Sequence, residues 1–377
     1  MEEKKKLDIK ALMKMDINDL LGKHRSTRFG KIKSKKPQVQ PKSVVSFDFG
    51  SDCVKIVEGR YLKKELKVTK AFTVAHDHSI EDGTIANPNR LVELLRSQLH
   101  EHGIKAKYAI CTINSTQIIN RELLIPYVEE EEMETVVRYE IQQFLPINMA
   151  DYLIQYVVLD EVIMNNEKRL KLNVVTFPEK IASSYYDLLT QLELKPFALD
   201  VTYNSISKLA NYSHLLEEVT DKEGTVAFVD MGAQSIDLNI FAKGNVQFTR
   251  LIKSGGYVIE ERLNQIPDMS IKSTASLEHV DLNGEDMLAR VVRLSLDEMI
   301  YELERVLQFY RNKSVGNKID YVYIFGGYSN IPGLGEYMGE KIGIPTAKLH
   351  RLKGVELEVS SKSIPTYANA IGAIIRL

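Results

Sequence analysis

The stretch SVVSFDFGSDCVKIVEGRY (43–61) decides the reading of this chain. A β-branched and aromatic run ends in Asp48, glycine and a small polar residue follow at Gly50 and Ser51, and a second apolar run continues to Val57. This is the pattern of two strands joined by a tight turn. A second copy, TVAFVDMGAQSIDLNIFAKGNVQFTRLI (225–252), sets Asp230 and Gly232 where Asp48 and Gly50 stand in the first. Two halves that begin alike point to a duplicated, bilobal α/β architecture.

The turn has a chemistry of its own. Glycine lets backbone N–H groups approach a phosphate, and a carboxylate at a strand end holds the water shell of Mg2+, which prefers oxygen ligands. Ser51 and Lys55 add a hydroxyl and a charge to the first copy, and Ser235 a hydroxyl to the second. One copy alone reads more readily as a plain hairpin with a polar turn. A third signal, FGGYSNIPGL (325–334), follows an apolar strand: paired glycines let the main chain lie flat against a planar ligand, and the next loop opens a helix whose N-terminus can face phosphate. Neither GxxxxGK[ST] nor a strand-to-helix GxGxxG is present.

Between the copies the pattern is mixed. ANPNRLVELLRSQLHEHGI predicts an amphipathic helix closed by Gly103, and VEEEEMETVVRYEIQQFLP a helix with acids in its first turn and Met133, Val137, Ile141 and Phe144 on one face. Two strands follow, then a helix opened by Pro178. Beyond the second hairpin come a long helix, MLARVVRLSLDEMIYELERVLQFYR, and a closing apolar helix, YANAIGAII.

Composition sets the outer bounds. The chain has 377 residues, 44% hydrophobic and 27% charged, with 21 Gly and 11 Pro, which excludes disordered, collagenous and disulfide-framework classes. It has no run of about 20 apolar residues and no signal-peptide core, so a cytosolic location is expected. Cys53 and Cys111 read as buried thiols, and the HxH pairs His76/His78 and His100/His102 lack the companions of a structural metal site. The net charge of −2 hides an asymmetry. Residues 1–43 carry 13 Lys and Arg against 5 Asp and Glu; the rest carries 36 against 46. An acidic body speaks against nucleic-acid binding and reserves anionic partners for the basic extension. There Ile9, Leu12, Met13, Ile17 and Leu20 share a helical face interrupted by Asp16, with Lys6, Lys10 and Lys14 beside it. That face serves weak contact with anionic lipid, a partner helix, or packing onto the acidic body.

Together the hairpins at 48–55 and 230–237, the glycine loop at 325–334 and YANAIGAII resemble the actin, sugar-kinase and heat-shock-chaperone ATPase fold. Within it, VRYEIQQFLPIN (137–148) and LDVTYNSISKL (199–209) resemble the PilM family of type IV pilus assembly proteins, over roughly residues 44–377. The resemblance implies lobe 1 at 44–222 with an inserted α/β subdomain at about 118–173, placed as in FtsA. It also implies lobe 2 at 223–365 with a helical part at about 253–311, and a C-terminal helix, 366–377, returning to lobe 1. The extension, 1–43, lies outside it.

The implied cofactors are ATP or ADP with Mg2+. By position, Asp48 and Asp230 would hold Mg2+ through water, Gly50, Ser51 and Lys55 would meet the β-phosphate, and Gly232, Ala233, Gln234 and Ser235 would wrap the terminal phosphate. Gly256, Gly326, Gly327 and Tyr328 would border the nucleoside. Where relatives carry an acid and a proline, this chain has Thr202 and Tyr203. The group expected to orient an attacking water is therefore missing, Asp200 could compensate only if the loop shifts, and tight nucleotide binding with slow or absent turnover is expected.

For partners, the resemblance implies the cytoplasmic N-terminal peptide of a PilN-type membrane protein, docked in a groove beside the inserted subdomain and walled by Val137, Ile141, Phe144 and Leu145. It also implies other pilus assembly proteins and a place at the inner face of the cytoplasmic membrane; self-assembly is left open. Two other readings share the fold. An FtsA-like division protein would need a C-terminal amphipathic helix, and the sequence stops at Arg376 and Leu377. A small-metabolite kinase would need a catalytic carboxylate at the Thr202 position.

Overall fold

The computed structural model describes residues 41–376 apart from 146–147, 221–223, 243, 268–276 and 314–315, so the apolar face and lysine row expected at 6–20 lie outside the described residues. Strands β1 (Val44–Phe49), β2 (Cys53–Leu62) and β3 (Glu65–Ala75) form an antiparallel meander, followed by a short β4/β5 hairpin (Ile80–Glu81, Thr84–Ile85) and helix α1 (Pro88–Glu101). Strand β6 (Tyr108–Ile113) then joins β1 in parallel. The inserted subdomain holds β7 (Ile119–Pro126), α2 (Glu130–Phe144), β8 (Tyr152–Met164) and β9 (Glu167–Pro178), its sheet ordered β7-β9-β8. Next come α3 (Glu179–Gln191), β10 (Lys195–Val201) parallel to β6, α4 (Thr202–Tyr212) and α5 (Leu215–Val219).

The second half repeats this plan. Strands β11 (Thr225–Met231), β12 (Ile236–Ala242) and β13 (Asn245–Ile252) make another meander, followed by α6 (Tyr257–Asn264) and the 27-residue α7 (Met287–Lys313). Strand β14 (Tyr321–Phe325) pairs in parallel with β11, and α8 (Leu334–Ile342) leads to β15 (Thr346–Lys348). The sheet orders β10-β6-β1-β2-β3 and β15-β14-β11-β12-β13 match strand for strand, so the duplication is one of topology as well as sequence. The return to the first sheet begins with β16 (Val355–Leu357), which adds to β3, and ends with α9 (Ile364–Ile374).

Strand parity then fixes where the carboxylates face. All six residues of β1 are buried, as expected for a strand covered on both faces. Val45, Phe47 and Phe49 pack with Leu91 and Leu95 of α1 and Tyr185 and Leu188 of α3. Val44 looks the other way, into a cluster holding Ile206 and Leu209 of α4, Ala368 and Ile371 of α9, and Val226 and Phe228 of β11. Helices α4 and α9 thus lie between the two sheets. Asp48 shares the parity of Val44, and Asp230 that of Val226 and Phe228, so both carboxylates point into the gap between the lobes.

Candidate functional site

A cavity of about 1150 Å³ opens in that gap, at the ends of the parallel strands where open α/β sheets bind ligands. Both hairpin turns line it. In the first, the Gly50 N–H donates to the Cys53 carbonyl at 3.1 Å; in the second, the Gly232 N–H donates to the Ser235 carbonyl, also at 3.1 Å. The turns meet across the gap, where the Gln234 N–H donates to Ser51 Oγ at 3.3 Å. His76 braces the first turn from behind: Nε2 donates to the Gly50 carbonyl at 2.9 Å while Nδ1 accepts from the Ser79 N–H. Burial lowers its pKa, which favours the neutral ring that this pair of bonds requires.

The charges converge on Lys55. Its Nζ lies 3.6 Å from Asp48 Oδ2, both side chains nearly buried. Burial alone would lower the ammonium pKa, but Asp48 and then Asp230 outweigh it and the net shift is upward, so Lys55 stays charged. Burial raises the Asp230 carboxyl to about 6, with Lys55 and a 2.7 Å bond from Asn369 Nδ2 pulling the other way. Asp230 Oδ1 is buried and has no hydrogen-bond partner among the described residues. A buried anionic oxygen left open, with a second carboxylate beside it, fits a hydrated divalent cation, and the paired turns with Lys55 fit an anionic phosphate chain.

Asp200, the substitute for the missing acid, is not in the cavity. It accepts from Lys208 Nζ at 2.6 Å and from Asn204 Nδ2 at 2.7 Å, with Asp200 and Lys208 side chains each 1% exposed. It is one half of a buried ion pair. Tyr203 is buried against Val157 and Val175. Thr202 does line the cavity, and its hydroxyl donates to Asp237 Oδ2 at 2.7 Å, which also accepts from Asn114 Nδ2 at 2.9 Å. Asp237 is a cavity carboxylate that the sequence reading overlooked. It is the cross-strand neighbour of Asp230, so the register of the second hairpin was the signal that would have found it. Burial raises its carboxyl to about 7.

The nucleoside wall differs from expectation. Gly327 and Tyr328 line the cavity; Gly256 and Gly326 do not. Gly326, with φ of +89°, turns in against Asp230 and Met231, a conformation that only glycine adopts readily. Gly256 lies under the Tyr328 ring, too close for any side chain at that position.

The expected groove wall also changes. Val137 and Ile141 are buried beneath α2 among Leu123, Leu170 and Leu172 of the subdomain's own sheet, which removes them from any partner surface. Leu145 packs at the edge of that core, and Phe144 is half exposed with the Arg121 guanidinium 4.6 Å from its ring centroid. Arg121 also lines a separate cavity of about 390 Å³ between the inserted subdomain and β13, with Val157, Leu159, Asn173, Val246 and Phe248. Cys111 is buried as expected, whereas Cys53 is half-buried at the cleft and its thiol is pushed up to about 11, chiefly by burial. No helix among the described residues is long and apolar enough to cross a membrane.

Comparison with known proteins gives the geometry a context. The family profile of the type IV pilus assembly protein PilM matches residues 46–376. Among solved structures, a PilM–PilN type IV pilus biogenesis complex superposes with a TM-score of 0.74 at 19% identity, covering 90% of this chain and 99% of the other. The ethanolamine utilization protein EutJ from Carboxydothermus hydrogenoformans superposes at 0.51 and 13% identity, covering 98% of both chains.

Proposed function

Because the chain belongs to the type IV pilus assembly protein PilM family, we propose that it is a nucleotide-binding scaffold of the pilus machinery that docks the N-terminal cytoplasmic peptide of a PilN-type membrane protein. The observation that carries the nucleotide half is the meeting of two phosphate turns across one cleft, Gln234 to Ser51, beside an unsatisfied Asp230 oxygen. Bound ATP with Mg2+ would supply a phosphoanhydride whose charge the cation shares. Asp48 and Asp230 would hold the hydrated cation, Lys55 would neutralise the phosphate chain, and the turn at Gly232–Ser235 would offer its N–H groups to the terminal phosphate.

Asp237 replaces the acid absent at Thr202. Its Oδ2 already accepts from the Thr202 hydroxyl and from Asn114 Nδ2, which leaves that oxygen little capacity to take a proton from an attacking water. Slow turnover follows, which suits a protein whose bound state, rather than whose product, is read by its partners.

The groove beside the inserted subdomain is the peptide site we favour. Arg121 joins it to the half-exposed Phe144, giving a largely polar channel with an apolar patch at Val157, Leu159, Val246 and Phe248. Binding there would hold the protein at the inner face of the membrane through its partner. The test is calorimetric titration with the N-terminal peptide of the host's PilN-type protein. One saturable site, weakened at least about tenfold by Arg121→Ser, is expected from loss of a central interface arginine. A full-strength titration with Arg121→Ser would move the site elsewhere, and no titration with the intact protein would remove the scaffold reading.

A further inference from the structure

Tyr328 stands where the cleft would have to admit the nucleoside end of a nucleotide. Its side chain is 2% exposed. One face covers Gly256 so closely that a methyl group could not be added there. The hydroxyl donates to the carboxylate of Glu260, one turn along α6. A planar ring lying flat on a glycine, with a polar tip bonded to an acid, is the set of contacts a base and its sugar would make at the same place. The neighbouring residue on α6 closes the far side: the Tyr257 hydroxyl reaches the Ser51 carbonyl at 3.4 Å, tying α6 to the first phosphate turn.

The phosphate end is built differently. Asp48, Ser51, Lys55, Asp230 and Gln234 all line the cavity. The two ends of the cleft therefore differ: the phosphate turns face the cavity directly, whereas at the other end Tyr328 lines it in place of Gly256, which its ring covers.

We propose that Tyr328 is a gate on nucleoside entry. The folded chain takes a bare phosphate chain directly, and takes a nucleotide only when the Tyr328 ring leaves Gly256 and gives up its bond to Glu260. The inference rests on the nucleotide reading of the cleft and adds a specificity-determining residue to it. If opening exposes the competent form in about one molecule in ten to one in a hundred, nucleotide affinity is reduced by the same factor, because apparent affinity scales with the competent fraction. The phosphate chain alone carries no such penalty.

The experiment is calorimetric titration of the full chain with Mg2+ tripolyphosphate and with MgATP, for the intact protein, Tyr328→Ser and Glu260→Gln. In Tyr328→Ser the ring is gone, so ATP should bind roughly 10- to 100-fold more tightly while tripolyphosphate changes less than about twofold. Glu260→Gln weakens the latch but keeps the ring seated, so it should give a smaller gain for ATP alone, and it serves if Tyr328→Ser does not fold. ATP affinity that is unchanged or lower in the folded variants overturns the gate and leaves the cleft reading standing. Failure of either ligand to bind any of the three proteins overturns both.

Discussion

Replacing Lys208 by methionine strands a buried carboxylate and tests whether Asp200 is structural. The pair is 2.6 Å apart, with both side chains 1% exposed, and methionine keeps most of the volume of the lysine stem. Asp200 Oδ1 retains its bonds from Asn204 Nδ2 and the Val201 N–H, so it is Oδ2 that loses its counter-charge. Removing one partner of such a pair costs about 3–5 kcal/mol, and the two surviving bonds place this case at the lower end. At roughly 2 °C per kcal/mol for a chain of this size, the thermal midpoint followed by circular dichroism should fall by about 6 °C. The double variant Asp200→Asn/Lys208→Met removes both charges together and should recover most of the loss. Phosphate-chain affinity should stay unchanged in both. A loss below about 1 kcal/mol for Lys208→Met, or a collapse of ligand binding with stability intact, would show that Asp200 works in the cleft after all.

Asp237→Asn should leave ligand affinity within a few-fold and lower any residual phosphate release at least about tenfold, measured as free phosphate under saturating nucleotide, as for loss of a general base. The ligand-free protein should gain stability as pH falls from 8 to 5, because Asp230 and Asp237, raised to about 6 and about 7, bind protons more readily folded than unfolded. Over the same range the Mg2+-dependent rise in thermal midpoint should shrink, since protonation removes the ligand charge; a rise that grows toward acid would contradict the assignment. Gly326→Ala should cost at least about 1–2 kcal/mol in a denaturant titration and weaken cation binding, because a Cβ at φ of +89° falls against Asp230.

What the sequence made legible was whatever strand parity and turn chemistry determine locally. Asp48 and Asp230 end apolar runs and the glycines after them require a turn; both carboxylates line one cavity. Asp237 was equally local, two residues past Ser235 on the returning strand, and needed only the hairpin register. Asn369 is a polar residue in a mostly apolar closing helix, though its bond to Asp230 depends on how α9 crosses between the sheets. Other features were beyond local pattern. The stripe Val137–Ile141 looked identical whether it faced a partner or its own sheet, since periodicity reports a buried face and not what buries it. Tyr328 on Gly256 joins residues far apart in sequence, a packing that no spacing announces. Asp200 failed as a candidate because Lys208, two helical turns on, claimed it.

The most direct test of the scaffold account is affinity capture of the full-length protein from its host, with bound proteins identified by mass spectrometry. The account predicts a PilN-type membrane protein and other pilus assembly components, retained by Asp200→Asn/Lys208→Met and lost with Arg121→Ser. Recovery of division proteins or metabolic enzymes instead, with the pilus components absent, would contradict it.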